Sequence, residues 1–159
     1  MKIRVGFGFD VHKFAENREL WLGGIRLEHD RGLLGHSDAD VLIHAICDAL
    51  LGAAHMRDIG YHFPDTAGEF KNIDSKILLA RTVGLIATKG YRVGNIDATS
   101  CAERPKLKAH SPLMQQTLAE VMGIEEEDVT IKATTTEKLG FTGREEGISA
   151  YATVLIEKD

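Results

Sequence analysis

The chain is poor in cysteine: Cys47 and Cys101 lie far apart, and neither belongs to a CxxC pair. That excludes a disulfide framework and a thiolate zinc site, and a reducing, cytoplasmic setting is expected. Clustered lysine and arginine are also missing. Nineteen basic residues stand against 24 acidic ones, for a formal net charge of −5. Sequence-independent binding of nucleic acid rests on basic clusters and is excluded on this ground. An anionic substrate is not, because local cations reverse the field inside a cleft. No apolar run approaches the roughly 18 residues of a membrane span. Met1–Val5 leads straight into a strand-like pattern, so no targeting segment and no membrane partner are expected. No Walker-type loop, GxGxxG or HExxH occurs, and no nucleophilic triad stands out. A phosphate chemistry that needs no protein nucleophile fits those absences.

What is present is ordinary globular material. Of the 159 residues, 43% are hydrophobic and 27% charged. With no repeat, low-complexity tract or linker, a single domain over 1–159 is expected. Ile3–His12 reads as a strand in which Gly6 and Gly8 mark a bulge or a close backbone approach. Leu20–Leu22 and Ile25–Leu27 flank Gly23-Gly24, a hairpin signal. His29–Gly35 reads as a loop. Ser37, with Asp40 three residues on, reads as cap and capping-box partner of a helix from about Asp38 to Ala54. A second helix is expected from Asp74-Ser75, with Ser75 as cap, to Gly90. A third runs from Ser111-Pro112 to Gly123. Strands are expected at Tyr91–Cys101, Val129–Ala133 and Ile148–Ile156, and Glu125–Asp128 as a solvated turn. The order predicts an α+β sandwich, a mixed β-sheet with helices on one face plus a small β-hairpin.

Chemistry concentrates in His36–His44 (HSDADVLIH). Asp40, His44 and Asp48 are spaced by four and form one polar stripe on an apolar helix, expected to face a cavity. Asp10 and His12 leave one face of a strand and could share a metal, or be a surface pair. His44 could supply a third ligand, leaving one tetrahedral position open, or be a core histidine bonded to Asp40 or Asp48. Thr134-Thr135-Thr136 could offer hydroxyls and N–H groups to phosphate, Glu137 could take a hard cation, and Arg144 could clamp a phosphate. Each also has a structural reading, as strand threonines or solvated loop charge. Asp58 and Asp65, in a segment with neither helical nor strand period, could bond sugar hydroxyls or cap a turn. Ala102–Lys108 could hold an anionic or heterocyclic ligand or be a charged loop.

Five segments coincide in order and spacing: FDVH (9–12), GHSDADVLIHA (35–45), DIGYHFPDT (58–66), AERPKL (102–107) and KATTTEKLGFTGREEG (132–147). Together they resemble the 2-C-methyl-D-erythritol 2,4-cyclodiphosphate synthases of the non-mevalonate isoprenoid pathway, across essentially the whole chain. The resemblance implies a lyase that converts 4-diphosphocytidyl-2-C-methyl-D-erythritol 2-phosphate to the cyclic diphosphate. The 2-phosphate would attack the β-phosphorus and CMP would leave. It implies one Zn²⁺ per subunit on Asp10, His12 and His44, and a Mg²⁺ or Mn²⁺ held with the substrate by Glu137. His36 and Thr135 fall on transition-state positions. Substrate contacts are implied for Asp10, Val11, His12, His36, Ser37, Asp58, Ile59 and Gly60. They are implied also for Phe63, Pro64, Asp65, Thr66 and Ala67, for Ala102, Glu103, Arg104, Pro105, Lys106, Leu107 and Lys108, and for Thr134, Thr135, Thr136, Glu137, Phe141 and Arg144.

The same resemblance implies a homotrimer with active sites at subunit interfaces. It also implies a central cavity able to take an isoprenoid diphosphate, lined by Phe9, Gly140, Arg144 and Glu146. Two departures stand out. Arg57 precedes Asp58, and Glu145 follows Arg144, where the family commonly has glycine. The alternatives are a zinc phosphohydrolase, expected to carry more metal carboxylates and a base, and a non-catalytic cytidine-nucleotide-binding trimer, which would not need Asp10, His12 and His44.

Overall fold

The computed structural model describes residues 1–159. Its spine is β1, Lys2–Ala15, which alternates along its length. Ile3, Val5, Phe7, Phe9 and Val11 are exposed on one face, while Gly6 and Gly8 are buried on the other. The strand is longer than Ile3–His12 because it pairs antiparallel with the last strand, β7 (Gly147–Lys158), from Lys2↔Lys158 to Lys13↔Gly147. Its far end also takes a short strand, β4 (Gly32–Leu33), inside the segment read as loop. Between them in sequence, β2 (Leu20–Leu22) and β3 (Ile25–Leu27) form the separate hairpin. Gly23 and Gly24 turn it with φ of 61° and 79°, a conformation that suits glycine. With β5 (Arg92–Cys101) and β6 (Val129–Thr134), the main sheet has the order β4-β1-β7-β5-β6. Only β5 and β6 are parallel. This is the mixed sheet and hairpin expected from the sequence.

The helices cover the glycine face of the sheet. α1 (Val41–Ala53) lies directly on β1 and β7, with α3 (Ser75–Ala87) beside it and α4 (Ser111–Met122) over β6. Ten of the 13 residues of α1 are buried, as befits a helix between a sheet and a second helical layer. One apolar core of 34 residues lies between sheet and helices. A satellite of Phe63, Phe70 and Leu78 sits beneath the 63–73 segment.

The contact of β1 with α1 is backbone on backbone. A Cβ on Gly6 would overlap the Ala49 carbonyl oxygen, and one on Gly8 the Ala45 carbonyl oxygen. Two strand residues advance about 6.6 Å and four helical residues about 6.0 Å, so strand and helix keep step over this stretch. Gly8→Ala is therefore expected to destabilise the protein by about 2 kcal/mol, through forced separation of the two backbones. Urea unfolding checks this; an unchanged midpoint would mean that the helix has room to yield.

Three helix starts differ from the sequence reading. Asp40, not Ser37, caps α1: its carboxylate accepts from Ile43 N–H at 3.0 Å, and Ala39 at φ 60° keeps the preceding turn out of the helix. Asp74, not Ser75, caps α3, accepting from Lys76 N–H at 2.9 Å. α3 ends at Ala87, three residues short of Gly90. For α4 the Ncap is His110, because a 3₁₀ turn at Lys108–His110 runs directly into the helix; Ser111 is already helical, and Pro112 keeps its first-turn place. Gly123 closes α4 at φ 69° as expected. Two segments without a readable period are single helical turns: α2 (Ile59–His62) and α5 (Gly140–Gly143).

Candidate active site

Asp10 and His12 continue the inward face of β1 beyond the two glycines. The close contact of β1 with α1 fixes which helical turn they meet, and His44, beside Ala45, is on it. Asp10 Oδ2 lies 3.0 Å from His12 Nε2 and 3.1 Å from His44 Nδ1. The two ring nitrogens are 3.2 Å apart. The remaining ring nitrogens have partners too. His12 Nδ1 is 2.8 Å from the Leu34 carbonyl oxygen, which can only accept, so Nδ1 carries a proton and His12 in its neutral form turns the Nε2 lone pair to the cluster. His44 Nε2 faces two hydroxyls, Ser75 Oγ at 3.0 Å and Ser37 Oγ at 3.1 Å. Burial raises the Asp10 carboxyl's pKa, but hydrogen bonds from His12 and His44 outweigh it and hold the group well below the ordinary carboxylate range. For His12, burial works against the charged form, and the Asp10 carboxylate more than compensates, so its pKa rises above the ordinary value.

The expected stripe Asp40–His44–Asp48 is divided by the structure, and only His44 faces the cavity. Asp40 is fully buried and accepts from three backbone N–H groups: Gly23 at 2.9 Å, Gly24 at 2.7 Å and Ile43 at 3.0 Å. It ties the hairpin turn to the start of α1. Asp48 accepts from Ile59 N–H at 3.0 Å and anchors α2. The cavity beside the cluster has a volume of about 260 Å³, and Asp10, His12, His36, Ser37, His44, Ile59, Gly60, Phe63 and Asp65 line it. Gly35, Phe70 and Leu78 line it as well and were not singled out in the sequence. His36 Nε2 donates to the Ala67 carbonyl at 3.0 Å, joining the 35–37 turn to the 63–67 segment.

The other candidate residues lie elsewhere on the chain. Val11 points to the opposite, exposed face of β1. Asp58 is exposed and caps α2, its Oδ1 accepting from Tyr61 N–H at 2.9 Å. Pro64, Thr66 and Ala67 follow on the segment above the cavity. Ala102, Lys106, Leu107 and Lys108 border a different cavity of about 160 Å³ together with Thr134 and Thr135. Glu103 and Arg104 line a neighbouring depression with Lys138 and Glu145, and Pro105 lies between the two. Thr136 Oγ donates to the Leu139 carbonyl at 2.6 Å. Glu137 is exposed and lies outside the Asp10–His12–His44 cluster. Phe141 is exposed, as is Arg144, which makes a two-pronged contact with Glu146 at 2.9 and 3.3 Å. That contact raises the Arg144 pKa and lowers that of Glu146. Phe9 packs near Tyr151 on the outer sheet face, ring centroids 5.2 Å apart. Gly140 starts α5 at φ 68°. One chain thus carries two separated groups of candidate residues.

A family model, the YgbB family, matches residues 3–157. The chain belongs to the YgbB family. It is 86% identical over 159 residues to a 2-C-methyl-D-erythritol 2,4-cyclodiphosphate synthase of Bacteroides thetaiotaomicron, covering 100% of both chains. Among solved structures, the bifunctional IspDF of Campylobacter jejuni is 44% identical with a TM-score of 0.95. The chain aligns over 99% of its own length there and spans 43% of the bifunctional protein. The Plasmodium falciparum IspF, in a complex with CDP, is 34% identical with a TM-score of 0.85, over 99% of this chain and 97% of that one.

The side-chain atoms of Asp10, His12 and His44 that could ligate a metal in this YgbB site all lie within 4.8 Å of one another. Two imidazole lone pairs and one carboxylate suit a divalent ion with room for a further ligand. Both departures noted in the sequence fall at left-handed backbone, Arg57 at φ 66° and Glu145 at φ 58°. Such φ values suit glycine better than a residue with a side chain. The Arg57 guanidinium stacks over Tyr61, 4.1 Å from the ring centroid. Metal affinity in this YgbB protein is expected to fall as pH drops through the raised pKa of His12, by about tenfold per pH unit. The sign follows from the ligand state: the metal needs neutral His12, and protons compete below that pKa, while Asp10 stays ionised throughout. Calorimetric metal titrations between about pH 5 and pH 8 check it; a flat profile would remove His12 from the ligand set.

Proposed function

We propose that this single-domain YgbB protein converts 4-diphosphocytidyl-2-C-methyl-D-erythritol 2-phosphate to 2-C-methyl-D-erythritol 2,4-cyclodiphosphate and CMP, in non-mevalonate isoprenoid precursor biosynthesis in the cytoplasm. The observation that carries the reading is the Asp10–His12–His44 cluster opening onto a cavity bordered by His36 and Ser37. The relatives' names support the substrate. A 2-phosphate oxygen forms a bond to the β-phosphorus, and the bond from that phosphorus to the α-phosphate oxygen breaks. The nucleophile is already an anion in the same molecule, so no base is needed, and positioning and charge stabilisation do the work.

Asp10, His12 and His44 would hold Zn²⁺, which would polarise a phosphoryl oxygen when bound. Ser37 presents its hydroxyl hydrogen at the cavity wall to the same phosphate, and His36 stands beside it, held to the Ala67 carbonyl through Nε2. Phe63 and the satellite core beneath it keep one wall apolar and limit water. Glu137 would hold Mg²⁺ or Mn²⁺ with the substrate, Thr135 would assist the reacting phosphates, and the 102–108 loop would enclose the cytosine. Those groups lie apart from the zinc cluster in one chain, which supports a homotrimer whose sites combine two subunits. The exposed apolar row Ile3, Val5, Phe7 and Phe9 supports burial of that sheet face between copies.

Phosphorus NMR of the substrate with the purified protein, Zn²⁺ and Mg²⁺ tests the proposal. CMP plus a cyclic diphosphate supports it. CMP plus a linear diphosphate would mean a phosphohydrolase, and binding without turnover a nucleotide sensor. Asp58→Asn keeps an oxygen for the α2 cap and removes the charge that would bond the ribose. It is expected to weaken CDP binding about tenfold, a loss of one charge-assisted hydrogen bond. An equal loss for a ligand without ribose hydroxyls would place the effect in the cap instead.

A further inference from the structure

We infer that Ser75, held by Asp38, is a positioning residue that fixes the tautomer of His44 and so presents its Nδ1 lone pair to the metal; this rests on the reading of Asp10, His12 and His44 as metal ligands. Nδ1 of His44 is the nitrogen that faces Asp10 and His12. When that nitrogen gives its lone pair to a metal, the ring proton sits on Nε2, opposite Ser75 Oγ and Ser37 Oγ. The two hydroxyls are not equivalent. Ser75 Oγ donates its own proton to Asp38 Oδ1, and a carboxylate can only accept. The carboxylate is fixed in turn, Oδ1 accepting from Asp40 N–H at 3.0 Å and Oδ2 from Ser75 N–H at 2.9 Å. Ser75 can therefore offer His44 nothing but a lone pair. With the proton on Nδ1, two lone pairs would face each other around a Ser75 that is fully buried, where no water can intervene.

Ser37 has no such carboxylate. Its Oγ accepts from Ala39 N–H at 3.1 Å and its proton stays available to the cavity. Capping does not account for the Ser75 hydroxyl either, since Asp74 caps α3 and Asp38 already takes the Ser75 N–H. A hydroxyl between a carboxylate and the far nitrogen of a ligating histidine does the work of the outer partners found around metal sites, which orient the ring and fix its proton.

The test compares wild type with Ser75→Ala in the full chain. Zn²⁺ affinity is measured by competition with a chromophoric chelator, and the His44 tautomer by two-bond proton–nitrogen NMR of the metal-free protein. A loss of about 10- to 100-fold in affinity is expected. In the metal-free protein Asp10 draws the ring proton to Nδ1 and Ser75 draws it to Nε2, so the wild type is expected to carry more Nε2–H than the variant. Ser75→Cys, close in volume but a poor acceptor, is expected to shift the same way and serves if the alanine variant does not fold. Unchanged affinity, or a loss of affinity with an unchanged tautomer, would overturn the proposal. A wild type that binds no Zn²⁺ would overturn the ligand reading itself, and the metal-free tautomer would still decide what Ser75 does.

Discussion

Replacing His44 with alanine is expected to strip the metal from the protein and to lower turnover by about 1,000-fold or more, with the fold retained. The size follows from the charge problem. Cyclisation brings an anionic phosphate onto a second phosphorus, and a bound metal relieves several kcal/mol of that repulsion in the transition state. About 4 kcal/mol corresponds to about 1,000-fold in rate. The fold should survive because the imidazole faces the cavity, with 12% of its side chain exposed, and the apolar residues of α1 around it are untouched. Metal analysis, a thermal melt and the phosphorus NMR assay on one sample check all three parts. Full metal content in the variant would sink the three-ligand assignment, whatever the rate.

The largest loss of stability is expected from Asp40→Ala, at about 4 kcal/mol. Alanine would leave the N–H groups of Gly23, Gly24 and Ile43 without acceptors in a place water does not reach. Each orphaned buried donor costs about 1–3 kcal/mol, and partial relaxation of the hairpin turn reduces the total. Asp40→Asn should lose less. Its amide keeps one oxygen for two of the donors but must turn an N–H₂ group towards the third. Urea unfolding gives both values. A loss under about 1 kcal/mol for the alanine variant would show that the hairpin does not hang on this carboxylate.

The sequence and the structure agree best where local rules act alone. The Gly23-Gly24 turn, the left-handed stop at Gly123 and the α+β order could be read from a few adjacent residues. Helix starts were harder because several cap formers compete within a few positions. Ser37 and Asp40 both suit a cap, and the donors that choose between them come from the distant hairpin. The same distance hid the meaning of Asp40, which looked like a cavity residue by its spacing from His44. The metal cluster was half legible. The i, i+2 pair Asp10 and His12 shares a face in any strand, but the meeting with His44 depends on how α1 lies along β1. The signal for that is present as Gly6 and Gly8, which read as a bulge or a close backbone approach with no partner to assign. Ser75 was read as a cap, and only the backbone geometry at Asp74 frees its hydroxyl for another task.

The lock between β1 and α1 also dictates which changes of chain length the site can survive. One residue inserted between Gly8 and Asp10 would turn both strand ligands to the outer face of the sheet. Two residues would restore the face but carry the ligands about 7 Å past His44. One residue added inside α1 between His44 and Ala49 would swing the imidazole about 100° around the helix axis. None of these errors can be absorbed by sliding, because the carbonyls of Ala45 and Ala49 sit where any side chain at positions 6 and 8 would have to go. Insertions and deletions in this lineage are therefore expected to collect in the exposed turns, such as 125–128, and to be absent from positions 6–12 and 41–49.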